Sequence, residues 1–200
     1  GGGHGGRARQ GGERRVRVQV GSVSSVRRAR YLDWIAKCQE VVDARCGSGA
    51  VGYIHVADME ETGFADFSLQ FVGVCRTDTL ALILDLRGNV GGITSDLILS
   101  RLTQHRLAME LPAYGYASAV PEHAAPRGLV VLIDENTCSD GEVLAEHLSA
   151  AAGAILIGAR TWGGVIGMSE SELIDGTRIS HPNETMVSDR GRVVTSRALI

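Results

Sequence analysis

The sequence lacks the features that mark membrane proteins, disulfide-rich secreted proteins and metal sites. No apolar run in its 200 residues approaches the ~20 residues that a membrane-spanning helix needs. The first residues, GGGHGGRARQGGERR, contain no apolar segment of a signal peptide. The four cysteines have neither metal-ligand spacing nor a paired motif. We therefore expect a soluble, cytoplasmic protein with no membrane contact, no metal site and no cofactor.

Lysine and aromatic residues are scarce, whereas arginine is concentrated at one end. Lys37 is the single lysine, and aromatic residues make up 4% of the sequence. Residues 1–30 contain eight arginines and one acid, while the remaining residues carry 12 basic and 22 acidic side chains. A basic glycine-rich arm can bind nucleic acid, but this one lacks interleaved aromatic residues and regular spacing. We expect no nucleic-acid partner and interpret residues 1–26 as a lead-in.

Alternating strand and helix patterns fill the rest of the sequence. Continuous apolar runs predict buried strands at 50–56, 80–86, 128–134 and 154–158. Helical patterns are found at 29–49, 65–75, 93–105 and 139–153. A short strand is also predicted at 16–20, and a β-hairpin around Asp175 and Gly176. This order predicts an α/β fold of repeated strand–helix units.

Two loops that join a buried strand to a helix are candidate sites. The first, DLRGNVGG at residues 85–92, is called the glycine loop here. Gly91 and Gly92 allow backbone amide groups to face an anion, although a plain strand-to-helix turn would look the same. The loop lacks the lysine that a phosphate-binding loop needs.

The second candidate, TCSDG at residues 137–141, is called the serine loop and places Ser139 at a helix start. Amide groups there have no partner within the helix, so they can stabilise the oxyanion of an acyl-transfer intermediate. Ser139 could equally be an ordinary helix cap, with Glu142 completing a capping box. In an open α/β sheet both loops would lie at the carboxyl ends of strands, where sites form.

Together these segments resemble the catalytic core of the tricorn and tail-specific serine peptidases. The resemblance is carried by DLRGNVGG, TCSDG and GARTWGGVIG at 158–167. RYLDWIAKCQEVVD, GYIHVADM and LIDGTRISHP resemble the tricorn branch in particular. The similarity covers residues 27–182, and we assign residues 27–200 to the catalytic domain. It implies a crotonase-like or ClpP-like core, with the end of a PDZ-like domain within residues 1–26.

The resemblance also implies a role for individual residues. Ser139 matches the nucleophile, and the amide groups of Gly92 and Asp140 match the oxyanion hole. Gly91 matches a substrate-binding position. Glu110 falls where the tricorn branch places an acid that binds a basic residue before the cut, although it could also be a solvated surface carboxylate. Ring assemblies in the family imply a homo-oligomer.

The base that would activate the serine is not found in the sequence. A nucleophilic serine needs a base and a group that orients it. None of the six histidines matches the family's catalytic histidine, and Lys37 lies far upstream of the lysine in the tail-specific branch. Glu184 comes too early to match the orienting glutamate. We therefore expect a catalytic domain that is incomplete as given.

The expected function is hydrolysis of short peptides after basic residues, through an acyl-enzyme on Ser139. One alternative is a non-catalytic peptide-binding or assembly module on the same fold. A second alternative is a crotonase-type enzyme that acts on acyl-CoA, which would not require a serine at the helix start.

Overall fold

The computed structural model describes residues 21–76, 78–187 and 191. Four strands form the central sheet: β1 (Val51–His55), β2 (Ala81–Asp85), β5 (Gly128–Ile133) and β6 (Ile155–Gly158). The helices are α1 (Val23–Cys46), α2 (Glu61–Val74), α3 (Ser95–Leu102) and α4 (Asp140–Ala152). Two antiparallel pairs project from this body: β3 (Ala108–Glu110) with β4 (Ser118–Val120), and β7 (Ile166–Glu172) with β8 (Arg178–Thr185).

The central sheet is parallel, in the order β1–β2–β5–β6. Its first three strands alternate with helices along the chain, which confirms the predicted α/β fold of strand–helix units. Register pairs Asp85, the last residue of β2, with Leu132 near the end of β5. The glycine loop and the serine loop therefore leave neighbouring strands at the same edge of the sheet.

The core consists of apolar side chains from the sheet and from three helices. Phe67 and Phe71 of α2 and Ile98 of α3 are buried against the strands, where Leu84 and Val131 are also fully buried. Burial of side chains of this size contributes about 1.5–3 kcal/mol each. Among the described residues, no helix is long and apolar enough to cross a membrane.

Several element boundaries differ from the prediction. Helix α1 begins at Val23, six residues earlier than predicted, because the Ser22 hydroxyl accepts a hydrogen bond from the Ser25 amide and caps it. Helix α2 also begins earlier, at Glu61, and α3 is shorter than the predicted 93–105. The pair β3–β4 was not predicted. The strand predicted at 16–20, and with it the PDZ-like segment, lies outside the described residues.

Strand β6 departs from the expectation that continuous apolar strands are covered on both faces. It is the last strand of the sheet, and Ile155 and Ile157 are both more than half exposed. The predicted hairpin around Asp175 and Gly176 is confirmed, with longer strands than the sequence indicated.

Candidate active site

The glycine loop and the serine loop are joined by hydrogen bonds through Asn89. This side chain is fully buried, and its amide donates to the Val56 carbonyl oxygen at 2.8 Å. Its side-chain oxygen accepts from the Gly91 amide at 2.9 Å, and its backbone carbonyl accepts from the Cys138 amide at 2.9 Å. One buried residue thus fixes the position of Gly91 relative to the residue that precedes Ser139.

Ser139 has an unusual backbone conformation. Its φ is 52° and its ψ is −124°, and it is the only non-glycine residue with positive φ among those described. Such a conformation costs about 1–3 kcal/mol and persists only where the surroundings enforce it. A sharp turn of this kind between a strand and a helix exposes a side chain at the helix start, as serine nucleophiles require.

Ser139 occupies the N-cap position of α4 and takes part in the capping box that the sequence left open. The Glu142 carboxylate accepts from the Ser139 amide at 3.0 Å, and the Ser139 side chain in turn faces the Glu142 amide. The Glu142 amide also donates to the Ser139 backbone carbonyl at 2.9 Å. Because Ser139 also lines the open cleft, its side chain combines a helix-cap position with access to a substrate.

The buried Glu142 carboxylate holds the serine loop against residues 161–164. Besides the Ser139 amide, it accepts from the Thr161 hydroxyl at 2.6 Å and from the amides of Gly163 and Gly164 at 2.7 and 3.0 Å. Four donors satisfy this carboxylate, which lets it remain buried. The segment GARTWGGVIG therefore supports the serine loop through Glu142.

The amide groups of Gly92 and Asp140 are both positioned to act as donors. Neither amide donates to another described residue, whereas the neighbouring Gly91 and Ile93 are held by backbone hydrogen bonds to Met59. Asp140 is fixed by its carboxylate, which accepts from the amide and hydroxyl of Ser95 at the start of α3. Both residues line the same cleft as Ser139. Two fixed amide donors beside a serine can stabilise an oxyanion.

Gly91 adjoins Ser139 so closely that no side chain fits there. A Cβ atom on Gly91 would lie 2.6 Å from the Cβ of Ser139, and the residue has φ +91°. The glycine loop and the serine loop therefore meet in direct contact. Gly91 lies beside Ser139 but is not among the residues that line the cleft.

The cleft has a volume of about 920 Å³ and is bounded on one side by the β7–β8 hairpin. Its lining comprises Glu60, Gly92, Ile93, Ser139, Asp140, Val143 and residues 165–169 and 183–187. The position of the hairpin at the cleft could not be predicted from the sequence, since an exposed hairpin carries no signal of what it faces. The same holds for Glu60 and for the presence of Glu184 in the cleft.

Glu110 is the predicted site residue that the fold does not bring to the cleft. It lies on β3, is exposed, and is not among the described residues that line the cleft. The geometry brings together Ser139, Gly91, Gly92 and Asp140 and leaves Glu110 apart from them.

Among the described residues, those that line the cleft include no histidine and no lysine. His55, the most buried histidine described, donates from Nε2 to the Arg87 carbonyl at 3.1 Å and accepts at Nδ1 from the Tyr31 hydroxyl at 2.8 Å. Burial lowers the pKa of His55 and favours this neutral form. His55 therefore ties α1 to the glycine loop.

A second polar group at the same edge of the sheet is also structural. The fully buried Asp85 accepts from the Tyr53 hydroxyl at 2.6 Å and forms an ion pair with Arg87 at 2.5 Å. Burial alone would raise the pKa of Asp85, but the hydrogen bonds from Arg87 and Tyr53 outweigh it and hold the pKa below its ordinary value. These contacts fix the first three residues of the glycine loop.

Comparison with known proteins places this geometry among peptidases. The family model "Peptidase family S41" matches residues 50–198. The tricorn protease of Thermoplasma volcanium is 37% identical over 154 residues, which cover 76% of this chain and 15% of that protein. A putative tricorn protease homolog of Streptomyces coelicolor is 39% identical over 169 residues, covering 83% and 14%.

Solved structures agree with the sequence relatives. The crystal structure of the tricorn protease is similar with a TM-score of 0.70 and 34% identity, over 76% of this chain and 15% of that one. The photosystem II D1 C-terminal processing protease has the same fold, with a TM-score of 0.56 at 22% identity over 74% of this chain and 40% of its own. The present chain thus spans about 15% of the length of its tricorn relatives. The matched residues include the glycine loop, the serine loop and the cleft, and the chain belongs to peptidase family S41, a family of serine peptidases.

Proposed function

We propose that this chain supplies the nucleophile and the oxyanion hole of a peptidase that forms an acyl-enzyme on Ser139. One observation carries the proposal: a serine with a strained backbone lies in an open cleft beside the amide groups of Gly92 and Asp140, which donate to no other described residue. Acyl transfer requires fixed hydrogen-bond donors that stabilise the oxyanion beside the nucleophile, and this arrangement provides them.

In the proposed mechanism, the Ser139 Oγ attacks the carbonyl carbon of the scissile peptide bond while a base takes its proton. The carbonyl oxygen becomes an oxyanion that accepts hydrogen bonds from the two amides. The C–N bond then breaks, the amine leaves with the proton from the base, and water hydrolyses the ester. The helix dipole of α4 favours the same negative charge.

We propose that the base and its orienting acid come from polypeptide outside the described residues. The observation behind this is the cleft lining, which offers neither histidine nor lysine near Ser139. The 200-residue chain tested alone is expected to show little turnover, because a nucleophile without its base loses most of its rate.

The remaining features of the proposal follow the resemblance to tricorn-type peptidases. The substrates are peptides cut after basic residues, with Glu110 as the acid that binds the basic side chain. The enzyme is a cytoplasmic homo-oligomer, and its core is of the crotonase or ClpP type. Glu110 is exposed on β3 and is not among the described residues that line the cleft, so the proposal requires a substrate or a neighbouring subunit to reach β3.

Replacement of the nucleophile tests the proposal in the protein as purified from its source cells. Ser139→Ala should lower peptide turnover on the order of 10⁶-fold and leave the thermal unfolding midpoint nearly unchanged. Ser149→Ala, on the exposed far end of the same helix α4, is the matched control and should keep full activity. Retention of a substantial share of turnover by Ser139→Ala would overturn the assignment.

The second candidate function, a non-catalytic peptide-binding module, is favoured by the absence of a base among the described residues that line the cleft. A module of this kind would bind peptides equally well with Ser139→Ala or Ser139→Cys. It would also leave a fluorophosphonate unreacted in the protein from its source cells.

A further inference from the structure

A second cavity of about 550 Å³ lies at the opposite end of the sheet from Ser139. We call it the basic pocket, and its lining comprises Thr79, Leu80, residues 105–109 and residues 125–127. Thr79 and Leu80 directly precede β2, and Arg127 directly precedes β5. Because β2 and β5 run from this pocket towards the glycine and serine loops, the two cavities are about 17 Å apart along five residues of strand.

The charge of this pocket is of one sign. Two arginines line it, Arg127 and also Arg106, which already interacts with another residue, and no carboxylate is among the described residues that line it. Asp78, the neighbour of Thr79 in the chain, is occupied by Arg76 through hydrogen bonds of 3.1 and 3.2 Å. The whole chain has a net charge of −3, so a concave surface lined by bases stands out. Such a surface attracts anions.

The rest of the pocket wall is apolar and open to solvent. Leu80 is 73% exposed and Leu107 is 83% exposed, and Met109 is also exposed. Leucine side chains left this open gain free energy when a ligand covers them. A ligand that contacts both the arginine and the leucine side chains of the pocket therefore combines a negative group with an apolar portion.

The framework of the pocket is already formed. The Thr79 hydroxyl donates to the Val74 carbonyl at 2.7 Å, and the Leu80 amide donates to the Ala50 carbonyl at 2.9 Å. On the other side, the Leu107 amide donates to the Val120 carbonyl at 2.7 Å. A preformed pocket loses little conformational entropy when a ligand binds.

We propose that the basic pocket binds a small carboxylate with a short apolar tail, at a site separate from the peptidase cleft. The Arg127 guanidinium would pair with the carboxylate through parallel hydrogen bonds, for which its planar fork is suited. Leu80 and Leu107 would cover the tail. The volume lies in the range of small-molecule sites in proteins.

Titration of the 200-residue chain with hexanoate, followed by two-dimensional ¹⁵N NMR, tests this site. Hexanoate at millimolar concentrations should shift the amide signals of Leu80, Ala108 and Arg127 and leave those of the serine loop in place. Hexanol, which lacks the charge, and inorganic phosphate, which lacks the tail, should each bind at least about tenfold more weakly. Ser139→Ala should leave the hexanoate titration unchanged, since the sites are separate.

Variants test separately the residue proposed to bind the carboxylate and a residue proposed to cover the apolar tail. Arg127→Gln should weaken hexanoate binding about tenfold, whereas Arg45→Gln, an exposed arginine near the end of α1, should have no effect. Leu107→Ser should weaken hexanoate while leaving phosphate binding unchanged. The proposal is overturned if hexanoate causes no shift at these residues, if hexanol or phosphate binds as well as hexanoate, or if Arg127→Gln and Arg45→Gln behave alike.

Discussion

The serine loop is held by many contacts, whereas the antiparallel pair β3–β4, which carries Glu110, is held by few. The backbone of Ser139 is held in place by contact with the glycine loop, by a hydrogen bond to Glu142 and by the buried Asn89, which binds the preceding residue. Glu110 ends a three-residue strand that pairs only with β4, and no hydrogen bond or ion pair to another described residue holds its side chain. The residues that follow it are open to solvent, with Tyr114 95% and Tyr116 97% exposed.

This difference separates two requirements of a peptidase. A nucleophile and its oxyanion donors must be held within a fraction of an ångström, which buried and fully satisfied hydrogen bonds achieve. A side chain that selects substrates by charge tolerates a looser position, because Coulomb attraction declines gradually with distance. The fold of this chain therefore fixes the proposed site of acyl transfer, while the proposed approach of Glu110 to a substrate depends on what lies against β3 and β4.

Among variants that test the difference between the serine loop and the pair β3–β4, Gly91→Ala should lower peptide turnover most. The added Cβ would lie 2.6 Å from the Ser139 Cβ, at a φ that disfavours alanine, so the serine loop must shift. We expect peptide turnover by the protein from its source cells to fall by about 100-fold, as for misplacement of a reacting group by roughly 1 Å. Gly88→Ala is the matched control, because Gly88 also has positive φ (+73°) but no atom within 4 Å of an added Cβ. Equal losses in both variants would show that strain in the glycine loop, rather than contact with Ser139, determines the effect.

A smaller effect is expected from Glu142→Gln, which turns one of two acceptor oxygens into a donor. The amides of Ser139, Gly163 and Gly164 would then compete for fewer acceptors in a buried position. We expect the free energy of unfolding of the 200-residue chain to fall by about 2 kcal/mol, measured by urea denaturation. Glu146→Gln, one turn further along α4, should change it by less than about 0.5 kcal/mol. An unchanged unfolding midpoint for Glu142→Gln would contradict the role given to this carboxylate.

The smallest effect should come from Glu110→Gln and should appear only with basic substrates. We expect kcat/KM for a peptide with arginine before the cut to fall about tenfold, since one charge-assisted hydrogen bond is lost. The value for the matching citrulline peptide, and the stability of the fold, should not change, because Glu110 is exposed. Glu122→Gln, another exposed glutamate, is the control. A loss that is equal for both peptides would remove Glu110 as the determinant of charge preference.

The body of the fold could be predicted from the sequence because its signals are local. Strands β2 and β5 are continuous apolar runs between turn residues, and both candidate loops follow such runs. The beginning of α1 was missed because its first turns carry exposed, polar residues, and only the Ser22 cap marks the start. The pair β3–β4 was missed because strands of three exposed residues have no apolar pattern.

The candidate site also combines features with local sequence signals and features that depend on contacts between distant residues. The position of Ser139 at a helix start could be predicted from the strand and helix patterns around it, whereas Gly92 and Asp140 were proposed only through the resemblance to tricorn-type peptidases. The β7–β8 hairpin at the cleft could not, since its approach depends on contacts between residues distant in sequence, such as Val143 with Val165. The strained backbone of Ser139 likewise has no signal in sequence, because serine rarely adopts positive φ.

The most direct test of Ser139 as the nucleophile is to map the residue that a fluorophosphonate modifies in the protein purified from its source cells. We predict a single adduct, located by mass spectrometry on the serine loop at Ser139. No adduct should form when the protein is denatured before the fluorophosphonate is added. An adduct on a different serine, or no adduct in a preparation that still hydrolyses peptides, would contradict this assignment.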